Sequence, residues 1–440
     1  MTRRVIHVGV GSFGRRWLTE FLAANVADRT VEVVALVDVD ENALAFGRDA
    51  LGLPESACYR DAGKAFAAHP ADFCTVVVPP NRHEAVIDAA IAHGLDILCE
   101  KPIADSMAAS LRIERKVKGA GRKMAVTMSH RFDQDKTTLR RLVRSGRLGK
   151  VTTVSCRYAS SMRRHMEWGA LFRHTMQDPL MIEGAVHHLD LVADLAGAPC
   201  ETLYASTWRP DYADYAGDTD GIVVMTFANG VRGVYEGSST TAVGLNDWTR
   251  EYVRVDGEAG TAILNSREIE LFTRADLPRQ RSREGKGQKI DLLAQPKWLN
   301  TWLIEQFANW LDGGPEMETN VAANVQASAL VFGGIESART GQAVKIAEFV
   351  RANEAWSSKP DDAAKFLPRE AGQSGGGGRS KAVEGPTLWP RKRRNTPNAG
   401  AASPSTMLRM VPLPASRPLR GPLRGGGIGA ALVEGFSLGD

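Results

Sequence analysis

Two regular patterns of apolar and polar residues alternate along residues 1–124. Short apolar runs rich in β-branched residues predict buried strands, and a longer segment with apolar residues at helical spacing follows each run. Continuous apolar strands that alternate with amphipathic helices are typical of a parallel sheet covered on both faces. With right-handed crossovers, this order predicts an α/β fold with a doubly wound domain over residues 1–124. The predicted strands are RVIHVGVG, VEVVALVDVD, FCTVVVPP, DILCEKP and KMAVTMSHRF.

After Met124 the pattern changes to strands joined by short turns rich in Gly and Asn, such as ANG and DGEAG. Such hairpin connections predict an α+β domain with a large, mostly antiparallel open sheet over residues 125–350. Two helices close this domain, and we expect them to end at Gly313–Gly314 and at Gly341, because glycine suits the left-handed turn after a helix. The predicted strands are KVTTVSCRYA, ETLYASTW, DGIVVMTFANG, VRGVYEGSST, EYVRVDGEAGTAILN and REIELFT.

Residues 351–440 have a different composition. Ten of the 21 prolines lie there, with GGGG and RKRR runs and few periodic apolar segments, so this tail is predicted to be disordered. RKRR is either a localisation or nucleic-acid signal or a solvated basic cluster. Alternatively, the whole tail is a frameshifted or fortuitous extension of the coding sequence.

Charge and cysteine content exclude several classes of protein. Residues 351–440 hold 14 Lys and Arg against 7 Asp and Glu, which leaves 41 basic and 44 acidic residues before them, so the body gives no electrostatic support for nucleic-acid binding. No stretch approaches the length of a membrane span, and the N-terminus does not resemble a signal peptide. The scattered cysteines fit a reducing, cytoplasmic location. They are Cys58, Cys74, Cys99, Cys156 and Cys200.

A glycine-rich turn, GVGSFG, lies between the first predicted strand and the first predicted helix. Its glycines allow a tight turn, close approach of a pyrophosphate and close helix–strand packing, and the helix start offers N–H groups to phosphates. Asp38 ends the second strand and is placed to accept hydrogen bonds from ribose hydroxyls, which favours NAD and leaves NADP as the second option. The predicted cofactor residues here are Gly9, Gly11, Ser12, Phe13, Gly14 and Asp38.

Two further strand ends reach the same predicted sheet edge. Pro79 ends the third strand, and Asn81 and His83 follow it as cofactor contacts, with helix capping as a second reading for Asn81. Glu100 and Lys101 end the fourth strand, where Glu100 either contacts the cofactor or anchors the turn. Pro102 restricts Lys101 to extended geometry, which helps to direct the ammonium into the crevice.

The segment EGAVHHLDLVADLAG carries the candidate catalytic residues. As a helix it places Glu183 and His187 on one face, so the carboxylate would orient His187 as a proton acceptor while Lys101 favours ionisation of a substrate hydroxyl. Hydride would then leave for a nicotinamide. His188 is either a substrate contact or a core residue, and Asp190 is more typical of a structural residue. Glu183, His187 and Asp190 could bind a metal, but no second ligand cluster joins them and no metal is expected.

The segment SSMRRHMEWGALFRHTMQDPL before that helix is basic and laced with aromatic residues. If its cations point inward, they would suit a carboxylated or phosphorylated substrate; otherwise they form a solvated loop. Arg131, in MSHRFD, is a second candidate for the substrate pocket. The cations of the segment are Arg163, Arg164, His165, Arg173 and His174.

The motifs GVGSFG, VVVPPNRHEAVIDAAIAHGLDILCEKPIA and EGAVHHLDL resemble those of the glucose–fructose oxidoreductase/inositol dehydrogenase/MocA family over residues 3–350. The resemblance implies a Rossmann dinucleotide-binding domain, an α+β domain whose open sheet forms a homodimer or homotetramer, and NAD(P)-dependent oxidation or reduction of a small sugar or polyol. By position, Lys101 matches the active-site lysine and His187 the acid/base histidine. This chain departs from the family at Glu183, where aspartate is usual, and at Ala185, where glycine is usual. A non-catalytic nucleotide-sensing regulator is the alternative function.

Overall fold

A six-stranded parallel sheet forms the first half of the fold in the computed structural model, which describes residues 1–274 and 284–357. The strand order is β3-β2-β1-β4-β5-β6. The order reverses between β1 and β4, and this reversal opens a crevice at the carboxyl ends of these strands. The strands are β1 Arg3–Val8, β2 Val31–Val37, β3 Cys58–Tyr59, β4 Phe73–Val76, β5 Asp96–Cys99 and β6 Met124–Val126.

Helices connect these strands, as the apolar periodicity predicts. The first helix is continuous but widens in its middle, because α1 runs into a π-helical turn at Trp17–Leu22 and then into α2. Aspartate or serine side chains cap the starts of α3, α4 and α6 by accepting backbone N–H bonds. The helices are α1 Phe13–Arg16, α2 Ala23–Ala27, α3 Glu41–Leu51, α4 Ala62–Ala68, α5 Pro80–Ala92 and α6 Met107–Gly119.

A nine-stranded sheet forms the second half, in the order β14-β13-β12-β11-β7-β10-β9-β8-β15. Its neighbouring strands pair antiparallel except for β7 and β10, so the predicted, mostly antiparallel sheet is confirmed. The strands are β7 Val151–Ala159, β8 Cys200–Trp208, β9 Asp220–Phe227, β10 Arg232–Ser238, β11 Tyr252–Gly257, β12 Gly260–Asn265, β13 Glu268–Thr273, β14 Gln288–Ile290 and β15 Val344–Lys345.

The helices of this half cover one face of the nine-stranded sheet and reach the first sheet. A π-helical turn at Leu180–Ala185 leads directly into α9. The predicted end of α11 is confirmed, because Gly341 follows it with φ 69°. None of the helices in the described ranges has both the length and the apolarity needed to cross a membrane. The helices are α7 Gln134–Arg144, α8 Leu171–Thr175, α9 Val186–Ala196, α10 Leu299–Leu311, α11 Val321–Thr340 and α12 Ile346–Ser357.

The structure moves the boundaries that the sequence predicts. Strand β6 belongs to the first sheet, so the predicted boundary at residue 124 cuts through a strand. Helix α10 was expected in the second domain, yet its buried Phe307 packs edge-on against Phe73 of the first sheet, with the ring centroids 5.2 Å apart. Helix α12 continues to Ser357, so the predicted tail is wrong for 351–357, and its remainder lies outside the described residues.

Candidate active site

The glycine-rich turn lies at the crevice and has the backbone that the motif predicts. Gly9 has φ 98°, and a Cβ there would lie 2.0 Å from the carbonyl oxygen of Val77. A Cβ on Gly14 would lie 2.0 Å from the carbonyl oxygen of Gly9. Both positions therefore exclude any side chain. Around Gly11 the nearest atom to such a Cβ is a carboxylate oxygen of Asp38 at 3.8 Å, so this glycine leaves room for a ligand.

Asp38 fastens the turn to the end of β2. Its Oδ2 accepts hydrogen bonds from the backbone N–H of Val10 at 2.6 Å and of Gly11 at 3.0 Å, and its Oδ1 accepts from Asp40 N–H at 2.9 Å. The carboxylate lines the crevice while holding the loop. The predicted contact with a ribose stays a prediction.

A cleft of about 820 Å³ extends from the glycine-rich turn to the end of β5 and to Glu183 in the π-helical turn before α9. The open edge of Gly11, the N–H groups at the start of the helix and the acid at the end of β2 fit a dinucleotide. The predicted residues that line the cleft are Gly9, Gly11, Ser12, Phe13, Gly14, Asp38, Pro79, Glu100, Lys101, Arg173 and Glu183.

The sequence analysis did not identify several other lining residues, among them Arg60, Arg82, Ala170 and Phe172. Arg60 follows β3, a two-residue strand that the apolar pattern does not reveal. Phe172 and Ala170 lie in the basic, aromatic segment, whose aromatic residues were the one sequence feature that could have indicated a pocket wall.

Two of the predicted cofactor contacts lie outside the cleft lining. Asn81 is exposed within α5, whose N-cap is Pro79, so the capping role predicted for Asn81 is wrong. His83 is fully buried, with Nε2 2.8 Å from the carbonyl oxygen of Val78 and Nδ1 3.1 Å from that of Pro102. Its contacts hold two chain segments together and do not support the predicted cofactor contact.

Glu100 anchors the end of β5 and lines the cleft. Its Oε1 accepts from Trp17 Nε1 at 2.9 Å and from Asn300 Nδ2 at 3.4 Å, which ties β5 to the first helix and to α10. Burial raises the pKa of this carboxyl above its usual value, although Lys101 opposes the change. Anchoring was one of the two roles predicted for Glu100.

Lys101 follows at the cleft, joined to Pro102 by a cis peptide bond. Its Nζ donates to two oxygens of Glu183: the backbone carbonyl at 3.2 Å and Oε2 at 3.3 Å. The side chain of Lys101 is only 11% exposed. The contact joins the end of β5 to the segment that begins the catalytic helix, so the structure brings together two candidate residues that lie 82 positions apart.

Glu183 does not orient His187, and that prediction is wrong. The carboxylate Oε2 accepts from Arg173 Nε at 2.9 Å and from Lys101, so Glu183 binds two cations. Glu183 lies in the π-helical turn Leu180–Ala185, where residues four apart no longer lie on one face as they do in an α-helix. Burial alone would raise the pKa of Glu183, but Lys101 and Arg173 together lower it below its usual value, so the carboxylate stays ionised.

His187 lies within range of the Lys101 charge, although its ring is not part of the cleft lining. It is 4% exposed, and its Nδ1 is buried with no hydrogen-bond partner among the described residues. Burial and then the neighbouring Lys101 ammonium lower the pKa of His187 well below its usual value. The imidazole is therefore neutral at neutral pH and able to accept a proton.

Two predicted substrate contacts are instead structural. Arg131 is buried, with Nε 3.1 Å from Asp190 Oδ2 and Nη1 3.1 Å from Asp194 Oδ1. His188 is fully buried, with Nδ1 3.1 Å from the hydroxyl of Tyr235. Burial raises the pKa of Asp190 to about 6 while Arg131 opposes the change. These contacts agree with the predictions that His188 is a core residue and that Asp190 is a structural residue.

A buried network behind these helices escaped the sequence analysis. His130 and His188 both contact Glu251, at 3.1 and 3.4 Å, and Lys136 Nζ lies 2.9 Å from the other oxygen of that carboxylate. The nitrogen and oxygen atoms of the two histidines and the glutamate are close enough to hold a metal ion. The Lys136 ammonium already supplies positive charge to Glu251, which accounts for the burial of the acid without a metal.

Of the five cations in the basic segment, Arg173 alone lines the cleft. Arg163 Nε donates to the carbonyl oxygens of Thr240 and Thr241, both at 3.0 Å. His174 Nε2 accepts from the backbone N–H of Met166 at 3.0 Å. The segment is therefore neither wholly a pocket wall nor a solvated loop.

Two family profiles match the chain. Residues 3–128 match the NAD-binding Rossmann fold of an oxidoreductase family, and residues 140–346 match the C-terminal alpha/beta domain of the same family. The chain belongs to the Gfo/Idh/MocA oxidoreductase family. It is an NAD(P)-dependent oxidoreductase, so the predicted family, fold class, enzyme class and nucleotide cofactor are confirmed.

Individual relatives extend over most of the described chain. The uncharacterized protein y4oX of Sinorhizobium fredii is 59% identical, over 80% of this chain and 98% of its own length. D-apiose dehydrogenase of Paraburkholderia graminis is 25% identical, over 77% of this chain and 88% of its own. An oxidoreductase from Agrobacterium radiobacter, solved in complex with NAD⁺, L-tartaric acid and magnesium, superposes with a TM-score of 0.68 at 21% identity, covering 79% of this chain and all of that one. The last similarity shows a shared fold.

Proposed function

We propose that this family member transfers a hydride between nicotinamide and the CH–OH carbon of a sugar-like or polyol substrate, with NAD preferred to NADP. The observation that carries the proposal is that Lys101 lines the cofactor cleft, bound to Glu183, while its charge helps to keep the buried His187 neutral. The relative named as a D-apiose dehydrogenase supports a sugar-like substrate. Asp38 at the end of β2 supports the preference for NAD, since its charge would repel a 2′-phosphate.

In the proposed mechanism, a nicotinamide held in the cleft would supply the hydride acceptor for alcohol oxidation. Glu183 takes two hydrogen bonds from Lys101 Nζ and leaves the third N–H of that ammonium for the substrate oxygen. The positive charge of Lys101 stabilises the developing alkoxide. The hydroxyl proton passes to an imidazole nitrogen of His187, which is neutral and whose Nδ1 has no other hydrogen-bond partner among the described residues. Ketone reduction is the reverse.

A nucleotide-sensing regulator on the same fold is the alternative. It would keep the glycine-rich turn and Asp38 but would have no use for Lys101 and His187 together. The presence of both, with the charge of Lys101 lowering the pKa of His187, supports an enzyme.

We also propose a homodimer or homotetramer assembled through the face of the nine-stranded sheet that the helices leave uncovered. Tyr204, Val224 and Val234 lie in register across β8, β9 and β10 and are 45%, 43% and 36% exposed. Ile222 and Trp208 extend the same apolar surface at 44% and 43% exposure. A contiguous apolar patch of this kind is typical of an interface. The unpaired state of all five cysteines supports the predicted cytoplasmic location.

The catalytic proposal predicts that Lys101→Met and His187→Gln each lower kcat for the best substrate at least ~100-fold, because proton-transfer groups contribute about 10²–10⁴ to rates. Reduced-cofactor fluorescence on a panel of sugars, inositols and their acids would measure turnover. Calorimetry with NAD would show in parallel that the variants still bind nucleotide. Lys118→Met, which removes an exposed lysine of α6, is the matched control and should retain full turnover.

Turnover unchanged in both variants would overturn the roles of Lys101 and His187. If the unaltered protein binds NAD tightly but oxidises or reduces no panel member, the regulator becomes the better account.

A further inference from the structure

The far end of the cleft from the glycine-rich turn holds two cations that share one carboxylate. Lys101 Nζ and Arg173 Nε lie 3.3 and 2.9 Å from the same oxygen, Glu183 Oε2. The side chains of Lys101, Arg173 and Glu183 are 11%, 20% and 4% exposed. All three residues line the cleft.

Glu100, the other carboxylate beside Lys101, accepts from Trp17, Asn300 and the backbone N–H of Lys101, and it forms no ion pair with Lys101 or Arg173. The two cations therefore share one carboxylate partner among the described residues, and both remain able to attract an anion.

The protein fixes the guanidinium of Arg173 in place. Nε donates to Glu183, Nη1 donates to the carbonyl oxygen of Trp168 at 2.9 Å, and the guanidinium lies over the ring of Phe172, 5.2 Å from its centroid. Among the described residues, Nη2 has no hydrogen-bond partner. A planar guanidinium held on one edge, with N–H groups to spare on the other, is pre-organised for a planar anion.

The position of this cation relative to Lys101 limits what a ligand can look like. Because both cations contact one oxygen atom of Glu183, they flank it at close range. An anion on Arg173 and a reacting hydroxyl on Lys101 must therefore belong to carbons that are near neighbours in one small molecule.

We propose that the substrate is a hydroxy acid of the sugar series, with its carboxylate bound by Arg173 and its reacting hydroxyl a few carbons away at Lys101. This inference rests on the proposed function and narrows its substrate class. Oxidation turns the CH–OH group into C=O, its hydride passes to NAD⁺ and its proton to His187, so the carboxylate is unchanged by the reaction. A carboxylate suits the site better than a phosphate, because the free planar edge of the Arg173 guanidinium matches the planar carboxylate group.

The test compares matched pairs that differ only in a carboxylate against a CH₂OH group: D-gluconate with D-glucitol, D-galactonate with D-galactitol, and D-glycerate with glycerol. Kinetics with NAD⁺ on the full chain should give a higher kcat/KM for the acid of at least one pair, by tenfold or more. In Arg173→Gln the acid-to-alditol ratio of kcat/KM should fall at least 30-fold, mainly through a higher KM. Arg173→Lys should recover part of the ratio, since it keeps the charge but loses the fork.

Arg164→Gln is the matched control, since it removes an exposed cation of the same segment that does not line the cleft, and it should keep the ratio of the unaltered protein. Thermal melts of each variant check that it folds. Oxidation of the alditols in preference to the acids, or an acid-to-alditol ratio that survives in Arg173→Gln, would overturn the carboxylate proposal while leaving a dehydrogenase in place. A higher kcat/KM for D-glucitol 6-phosphate than for the acids would indicate a phosphate-bearing substrate and would also overturn the carboxylate proposal. If no compound is oxidised although NAD binds, the proposed function fails together with this inference.

Discussion

At the scale of residues, a single carboxylate oxygen, Glu183 Oε2, holds the two cations of this cleft close together. It binds Lys101 and Arg173, and these two cations outweigh burial and lower the pKa of the acid. Residue types and positions predicted the participants, since Lys101 and Glu183 were catalytic candidates and Arg173 was one of the cations considered for the substrate pocket. The partners could not be predicted, because the contacts join residues 82 and 10 positions apart whose geometry depends on the packed fold.

This pairing has a consequence for stability against pH. A carboxylate whose pKa is lower in the folded state than in the unfolded chain stabilises the fold above the unfolded pKa of about 4.5, and the stabilisation is lost as pH falls through the folded pKa. Glu183→Gln leaves two largely buried cations without their shared anion, so we expect the free energy of unfolding at pH 7 to fall by about 3–5 kcal/mol. Denaturant titrations from pH 7 to pH 3 should show the difference from the unaltered protein shrinking below about pH 4.5.

The control for that titration is Glu20→Gln, because Glu20 pairs with Arg16 at the surface and both side chains are about half exposed. It should change the free energy of unfolding by less than about 0.5 kcal/mol at any pH. A difference for Glu183→Gln that grows toward low pH would contradict the direction assigned to its pKa.

At the scale of elements, two features explain where sequence patterns succeeded and where they misled. The glycine-rich turn could be predicted in detail, because a strand, a turn without side chains and a helix follow each other locally. The spacing of Glu183 and His187 misled, because an apolar pattern does not distinguish an α-helical turn from the π-helical turn at Leu180–Ala185. The same limit applies to the π-helical turn in the first helix.

The geometry of the glycine-rich turn predicts that a single added methyl group weakens the binding of NAD. In Gly14→Ala the added Cβ would meet the carbonyl oxygen of Gly9 at 2.0 Å, a backbone collision that no side-chain rotation relieves. We expect the affinity for NAD, measured by calorimetry, to fall at least ~10-fold, since the N–H groups of the turn would move from the phosphate site. Gly119→Ala, at the end of α6 where a Cβ meets no atom within 4 Å, should bind NAD normally. Equal affinity in Gly14→Ala would show that this turn does not hold the cofactor.

At the scale of the whole molecule, a helix that follows the second domain's strands in sequence packs in the core of the first domain. Helix α10 completes the core beside β1 and β4, and its Asn300 reaches Glu100 at the cleft. The order of elements along the chain suggested two consecutive domains, because nothing in the local pattern of α10 distinguishes the sheet on which it packs. The open face of the second sheet is the other large-scale feature, and it leads to the proposed assembly.

That assembly is open to a direct test. Ile222→Asp combined with Val224→Asp places charges in the centre of the uncovered face of the sheet, and burial of such charges between subunits would be strongly unfavourable. Light scattering coupled to size exclusion should show a homodimer or homotetramer for the unaltered chain and a monomer for the double variant. Val243→Asp, a substitution at a 63% exposed residue outside β8–β10, is the control and should leave the oligomer intact. A monomeric unaltered chain would refute the interface.

Local sequence was enough to predict the parallel sheet, the glycine-rich turn, the acid at the end of β2 and the two catalytic candidates, because each depends on a short pattern or on neighbouring elements. Tertiary structure alone decided the pairing of Lys101 and Arg173 through Glu183, the burial of His83, Arg131 and His188, and the return of α10 to the first core. The physical reason is that charge pairing and burial depend on distances between segments that are remote in sequence. A side chain of given type becomes part of a cleft or part of a core only when those segments pack.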